Sequence, residues 1–132
     1  MTDQGVISGR AAETMRDRAA LRVDIKVIAD VDVKHAAPLG GRRGLGELAN
    51  EVTGRGLADG VIVTGAATGS ALNLGDLREV REAVPHRAIL AGSGVDASNV
   101  DEILSVADGV IVGSALKFGG DVNEAVDLSR AR

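Results

Sequence analysis

The chain has 132 residues, a formal net charge of −4 at pH 7 and no cysteine, so we expect one domain with its own core and exclude disulfide and thiol chemistry. Aromatic residues make up 1% of the chain and no basic stripe is present, which argues against nucleic-acid binding and favours α/β layers packed from aliphatic side chains. No apolar run reaches the roughly 18 residues of a transmembrane segment, and the first residues do not resemble a signal peptide, so we expect a cytoplasmic protein.

Helical and strand-like patterns alternate strictly along the sequence, an order typical of parallel βαβ units rather than hairpins. The first half predicts a helix over residues 9–21 with Ser8 as its N-cap and Ala12, Met15 and Ala19 at helical spacing, a strand over 25–34, a helix over 45–55 and a strand over 60–64. The second half predicts a helix capped by Asn73, a strand over 88–91, a helix that begins at Ser98 and buries Val100, Ile103 and Leu104, and a strand over 109–112.

The first predicted strand has one aliphatic face and one charged face. With a period of two, Asp30, Asp32 and Lys34 fall on the same face, and His35 follows where the loop begins. Burying charged groups is unfavourable unless they pair or meet water or a ligand. The segment is therefore either an edge strand with a solvated face or the floor of a site whose catalytic residues are Asp30, Asp32, Lys34 and His35. The spacing of the two acids suits one bound Mg²⁺ ion and two separate acid/base roles equally, and a lone histidine is more often structural.

The strand over residues 60–64 ends in Thr64 and Gly65, which we expect to contact a ligand because sites form at the carboxyl ends of parallel strands. A buried Thr64 bonded to backbone is the alternative. Lys117, close behind the last strand, is expected to add positive charge to the same site. No particular cofactor is indicated by these residues.

Two glycine-rich loops follow the last two predicted strands. The first contains Gly92, Ser93 and Gly94, and the second contains Gly113 and Ser114. Loops of this kind after strands seven and eight of (β/α)8 barrels hold phosphate through backbone N–H groups, so we expect these five residues to bind phosphate or another anion. The alternative is that the glycines only permit tight turns.

An internal repeat links the two halves of the chain. Residues 58–63, Ala-Asp-Gly-Val-Ile-Val, recur unchanged as residues 107–112, 49 residues further on. The offset spans two βα units, so the two strands are expected to be next-but-one neighbours, as alternate strands of a barrel are. A chance repeat and an open four-stranded sheet are the alternatives.

Several motifs together resemble the BtpA/SgcQ family: residues 2–5 with 9–10, 29–39, 56–59 with 63–69, 92–95 and 108–114. The resemblance covers nearly the whole chain and implies a (β/α)8-barrel fold. The matching part is strands five to eight with their helices, so we expect residues 1–132 to form a single partial barrel domain. At Asp32 the chain departs from the family pattern, which has histidine there. The resemblance also implies a role in the biogenesis of membrane complexes of the photosystem I type, peripheral to the membrane.

Half a barrel leaves two parallel edges open, where self-association or a protein partner is expected. The chain is then a fragment, a homodimer that joins two halves, or a marginal monomer. Three functions follow: an assembly factor with protein partners, an enzyme or binder for a phosphorylated small molecule or nucleotide, or an inactive truncated product.

Overall fold

The computed structural model describes residues 2, 5–32, 36–65 and 72–131. Its elements in chain order are α1 (Ala11–Leu21), β1 (Ile28–Asp30), α2 (Leu45–Gly54), β2 (Gly60–Thr64), α3 (Leu74–Ala83), β3 (Ala88–Gly92), α4 (Val100–Leu104) and β4 (Gly109–Ile111). Two short 3-10 turns follow, Ser114–Leu116 and Phe118–Gly120. The strands form one parallel sheet in the order β1-β2-β3-β4. The predicted α/β class with parallel βαβ units is confirmed, and the arrangement is that of half a (β/α)8 barrel.

β1 is much shorter than the ten residues predicted from its alternating pattern. Its first residue, Ile28, is opposite Gly60, the first residue of β2. Residues 25–27 therefore precede the start of β2 and cannot pair with it. The ladder extends one hydrogen bond past the strand, from the Val31 N–H to the Ile62 carbonyl at 3.0 Å. Lys34 and His35 lie outside the described residues. The alternating pattern identified the strand, and the start of β2 at Gly60 determines where β1 begins.

α1 begins after Arg10, so Ser8 is not its N-cap, and no side chain caps the helix. None of its residues is buried. Ala12 and Met15 line a groove of about 580 Å³ between α1 and α2 instead of packing into a core. α3 is capped as predicted, because Asn73 Oδ1 accepts the Gly75 N–H at 2.8 Å. α4 begins after Asn99 rather than at Ser98. Leu104 is 45% exposed, so its predicted burial is wrong, since the short helix turns that side chain to solvent.

The core lies between one face of the sheet and helices α2, α3 and α4. Its five largest fully buried side chains come from two strands and α3: Val61, Val63, Leu77, Val80 and Ile89. Burying aliphatic side chains of this size stabilises the fold by about 1.5–3 kcal/mol each. All of these strand residues share one parity, so the helices cover one face of the sheet.

The opposite parity forms a second face, here called the open face: Ile28, Asp30, Ile62, Thr64, Leu90 and Ile111. Ile28 and Ile111, on the two edge strands, are 36% and 46% exposed. Side chains on this face lean over glycines in the next strand. A Cβ at Gly109 would lie 2.9 Å from Leu90 Cδ2, and one at Gly92 would lie 2.9 Å from Ile62 Cγ2. Glycine at these positions therefore lets the neighbouring side chains pack across the strands.

The repeated Ala-Asp-Gly-Val-Ile-Val segment places its aspartate just before β2. The Asp59 N–H donates to the Val27 carbonyl at 2.8 Å, and Asp59 Oδ2 accepts the Val27 N–H at 2.8 Å. Arg18 of α1 contacts the same Oδ2 at 2.7 Å. The hydrogen bond from the Val27 N–H, together with the nearby Arg18 and Lys26 charges, lowers the pKa of Asp59.

The second copy of the segment builds the same contact before β4. The Asp108 N–H donates to the Ile89 carbonyl at 2.8 Å, and Asp108 Oδ2 accepts the Ile89 N–H at 2.8 Å. Arg81 of α3 takes the place of Arg18, at 2.7 Å from Oδ2. Arg81 and then the Ile89 N–H lower the pKa of Asp108. We call each of these two arrangements an aspartate clamp. The repeat is therefore structural as well as sequential, and its two strands are next-but-one neighbours as predicted.

Candidate functional site

A cleft of about 1100 Å³ opens at the carboxyl ends of β3 and β4. It lies between the loop that follows β3 and the segment that follows β4. Residues 94–100, Val112, residues 114–116, Gly120 and Arg130 line it. Carboxyl ends of parallel strands are the usual place for ligand sites in α/β folds. The cleft is therefore the candidate functional site.

The loop after β3 has an unusual backbone. Ser93 and Gly94 both have left-handed conformations, with φ of 75° and 68°. For a residue other than glycine this costs on the order of 1–3 kcal/mol, so the surroundings must hold Ser93 in place. The Asn99 Nδ2 group donates to the Gly94 carbonyl at 2.8 Å and ties the loop to the start of α4. The backbone N–H groups of Gly94 and Val95 make no hydrogen bond to the described residues.

Asp96 brings a negative charge into the cleft. Its Oδ1 accepts hydrogen bonds from the Ser98 hydroxyl at 2.5 Å and the Ser98 N–H at 2.7 Å, and these bonds lower the pKa of Asp96. The Asp96 N–H in turn donates to Asn99 Oδ1 at 3.0 Å. The carboxylate therefore shapes the loop and stays ionised at neutral pH.

The segment after β4 supplies a hydroxyl and a cation. Ser114 lines the cleft, and its hydroxyl makes no hydrogen bond to the described residues. Arg130 lines the same cleft, with Nη1 at 3.3 Å from the carbonyls of both Ala115 and Lys117. Its Nε is 3.7 Å from Asp127 Oδ2, and its side chain is 46% exposed. These contacts are long, so the guanidinium keeps capacity for a ligand.

The five predicted phosphate-binding residues divide into two groups. Gly94 and Ser114 line the cleft. Gly92, Ser93 and Gly113 do not line the cleft. Gly92 is buried in the sheet, Ser93 lies in the turn after it, and Gly113 is exposed next to Ser114. The structure thus brings one residue of each predicted loop together. Their role in binding an anion stays a prediction.

The other predicted ligand-binding residues lie away from the cleft. Lys117 turns its Nζ group to the Val122 carbonyl. Thr64 is the last residue of β2, and Gly65 follows it. The Thr64 hydroxyl makes no hydrogen bond to the described residues, and its partner, a ligand or the backbone, stays a prediction. These residues sit on a strand that is not adjacent to β4.

Of the predicted catalytic residues, Asp30 and Asp32 are described and both are exposed at the end of β1. β1 is at the far edge of the sheet from β4, so the structure does not bring these acids into the cleft. Lys34 and His35 lie outside the described residues. Within residues 5–32, 36–65 and 72–131, no three His, Asp or Glu side chains form a group that could hold a metal ion.

Sequence reasoning missed Arg130 because it comes well after the last strand, in a segment for which the sequence predicts no helix or strand. It reaches the cleft because residues 117 and 126 form an isolated antiparallel bridge that folds the tail back. No pattern in the sequence marks that bridge. Asp96 followed by Ser98 was readable as a turn signal, although its position in the cleft was not.

Comparison with known proteins gives consistent results. The family model described as BtpA family matches residues 1–132. The chain is 46% identical, over 98% of its length, to the photosystem I biogenesis protein BtpA of Synechocystis sp., and covers 45% of that protein. It is 40% identical over 99% of its length to an uncharacterised protein of Pyrococcus furiosus, and covers 48% of it. A mitochondrial uncharacterised protein of Caenorhabditis elegans is 36% identical, with coverages of 98% and 47%.

The chain thus spans about half the length of the curated relatives it matches. No solved structure matches it significantly. In the part of the chain that the structure describes, none of the helices has the length and apolarity needed to cross a membrane.

Proposed function

Because the chain belongs to the BtpA family, we propose that it takes part in the biogenesis of a membrane-protein complex, as a cytoplasmic protein peripheral to the membrane. The support is the 46% identity to a relative named for photosystem I biogenesis, over 98% of this chain. The chain spans 45% of that relative, so the role of the longer protein is carried over here as a proposal. Co-purification of the tagged chain with subunits of one membrane complex tests it, and recovery of the chain without any membrane subunit contradicts it.

The biochemical activity we propose for the chain is binding of a phosphorylated small molecule in the cleft. The observation that carries this proposal is the presence of Arg130 and Ser114 in one cleft with the glycine loop at Gly94. A guanidinium group matches the geometry of phosphate oxygens, and a serine hydroxyl and backbone N–H groups complete such sites.

The charges in the cleft restrict the class of ligand. Among the described lining residues, Arg130 supplies the positive charge and the ionised Asp96 the negative charge. A polyphosphate that filled the cleft would meet Asp96 and be repelled. A ligand with one phosphate near Arg130 and an uncharged, hydroxyl-bearing part near Asp96 avoids that repulsion, because a carboxylate accepts hydrogen bonds from hydroxyl groups. The cleft volume of about 1100 Å³ accommodates a sugar phosphate or a nucleoside monophosphate.

Thermal unfolding in the presence of inorganic phosphate, ribose 5-phosphate and AMP tests this activity. A ligand at ten times its Kd stabilises the folded protein by about 1.4 kcal/mol, which raises the Tm of a chain this long by about 5 °C. Arg130→Gln should abolish the shift. Arg55→Gln is the matched control, since the Arg55 side chain is 87% exposed, forms an ion pair with Glu51 at 3.3 Å and does not line the cleft. Equal shifts in both variants, or none in the unmodified chain, would overturn the proposal.

A further inference from the structure

Among the described residues, no strand pairs with the outer sides of β1 and β4, the two edge strands of the sheet. In a parallel ladder, backbone groups of alternate residues point to opposite sides. The Val31 N–H donates to β2, so the backbone groups of Ile28 and Asp30 point outward from β1. The Asp108 N–H donates to β3, so those of Gly109 and Ile111 point outward from β4. Both edge strands can therefore pair with a further strand. Each also carries an exposed isoleucine, Ile28 on β1 and Ile111 on β4.

The aspartate clamps show that the chain consists of two equivalent units. The first unit is α1, β1, α2 and β2, and the second is α3, β3, α4 and β4. The clamps make Asp59 equivalent to Asp108 and Val27 equivalent to Ile89. The strand register agrees, because Ile28 is opposite Gly60 and its equivalent, Leu90, is opposite Gly109.

The step from one unit to the next has a measurable register shift. Gly60 is opposite Ile28 on one side and Ala88 on the other. The equivalent of Ile28 in the second unit is Leu90, which lies two residues after Ala88. Paired residues therefore shift by two positions toward the amino end of the strand with each unit. Four such units give a shift of eight residues, which is the shear of a closed (β/α)8 barrel. Two copies of this chain supply four units.

We propose that two copies of this chain pair edge to edge, β4 of each with β1 of the other, and close an eight-stranded barrel. Repeating the step from β2 to β3, in which Ile62 is opposite Leu90, places Ile111 opposite Ile28 of the second copy. The two exposed isoleucines then cover one another. The curated relatives contain about twice this length of chain, which is the length that two copies provide.

The same register brings residues of the second copy to the cleft. Thr64 is opposite Gly92 within the chain, and the equivalent pair across the new interface is Gly113 with Asp30 of the other copy. Gly113 precedes Ser114, which lines the cleft. The closed dimer therefore joins the acid-bearing end of β1 to the cleft, although a single copy holds them at opposite edges of the sheet. This inference does not depend on the proposed phosphate binding.

Cysteine cross-linking tests the closed dimer, because the chain has no cysteine of its own. Ile28→Cys and Ile111→Cys variants are unfolded, refolded together and oxidised. Neighbouring parallel strands bring Cα atoms within the range that a disulfide requires. The mixture should give a disulfide-linked dimer, while either variant alone should not, since identical positions lie across the barrel from each other. A Leu57→Cys and Leu104→Cys mixture is the control, because these side chains are 55% and 45% exposed and neither residue lies on an edge strand.

Light scattering of the unmodified chain during size-exclusion chromatography gives an independent test. The proposal requires a species of twice the 13.4 kDa chain mass at micromolar concentrations. A monodisperse monomer, or open-ended polymers without a discrete dimer, would overturn it. Cross-linking of either cysteine variant with itself as efficiently as in the mixture would also overturn it, because that result indicates face-to-face stacking of the open faces.

Discussion

Removal of the Asp108 carboxylate should expose the energetic role of the aspartate clamp. Asp108 Oδ2 accepts the N–H of Ile89, whose side chain is fully buried, and also contacts Arg81 at 2.7 Å. Asp108→Ala leaves that N–H without an acceptor, which costs about 1–3 kcal/mol. Asp108→Asn keeps an acceptor oxygen and loses only the partly exposed ion pair, which is worth about 0.2–1 kcal/mol.

For a chain of this length, the alanine variant should lower the Tm by about 7 °C and the asparagine variant by about 2 °C. Far-ultraviolet circular dichroism is the suitable probe, because the chain contains no tryptophan and no tyrosine. Glu82→Ala, an exposed change on α3, is the control. Equal losses in the two Asp108 variants would refute the reasoning, because they would make the ion pair, rather than the N–H, the important contact.

The pH dependence of the same variants has a defined sign. The pKa of Asp108 is lower in the folded protein than in the unfolded chain. Its contribution is therefore fully present above the unfolded pKa of about 3.9 and is lost as the pH falls through the folded value. The stability difference between the unmodified chain and Asp108→Asn should accordingly shrink in that acidic range and stay constant near neutral pH.

Three further changes follow from the structure. Ser93→Gly should raise the free energy of unfolding by about 1 kcal/mol in denaturant titrations, because glycine adopts the left-handed φ of 75° without strain; a loss of stability would contradict this. Asp96→Asn should tighten phosphate binding severalfold in calorimetric titrations by removing the carboxylate from the cleft lining, and unchanged affinity would place the anion elsewhere. Leu77→Ala should cost about 2–5 kcal/mol in the same unfolding assay, since Leu77 is fully buried, whereas Leu128→Ala, at a 73% exposed site, should cost little.

Features that depend on residues close in the sequence were predicted more accurately than features that depend on contacts between distant segments. β2 was predicted to the residue, because its apolar run is bounded by Gly60 and Thr64 and β3 pairs along its whole length. The length of β1 was overestimated, because the alternation of apolar and charged residues does not indicate how many of them pair with the neighbouring strand. The helix at Asn73 was placed by a local capping contact, which depends on residues only two positions apart.

The site was less predictable than the fold. Strand ends located Gly94 and Ser114, because the carboxyl ends of neighbouring parallel strands meet at one edge. Arg130 reaches them only through the bridge between residues 117 and 126, a contact between distant positions in an irregular segment. The repeat of residues 58–63 was visible, but its aspartate was not singled out, because the bond from Asp59 to Val27 depends on the register of two strands.

The two aspartate clamps also determine where this scaffold tolerates change. Both lie at the amino ends of the strands, at Asp59 and Asp108, while the cleft lies at the carboxyl ends. Loop exchanges at residues 96–99 or 114–120 therefore leave the clamp contacts and the buried Val95 intact. Library selection restricted to those loops should therefore change ligand specificity at little cost in expression. The four-stranded domain is thus a small, cysteine-free starting point for engineered binders.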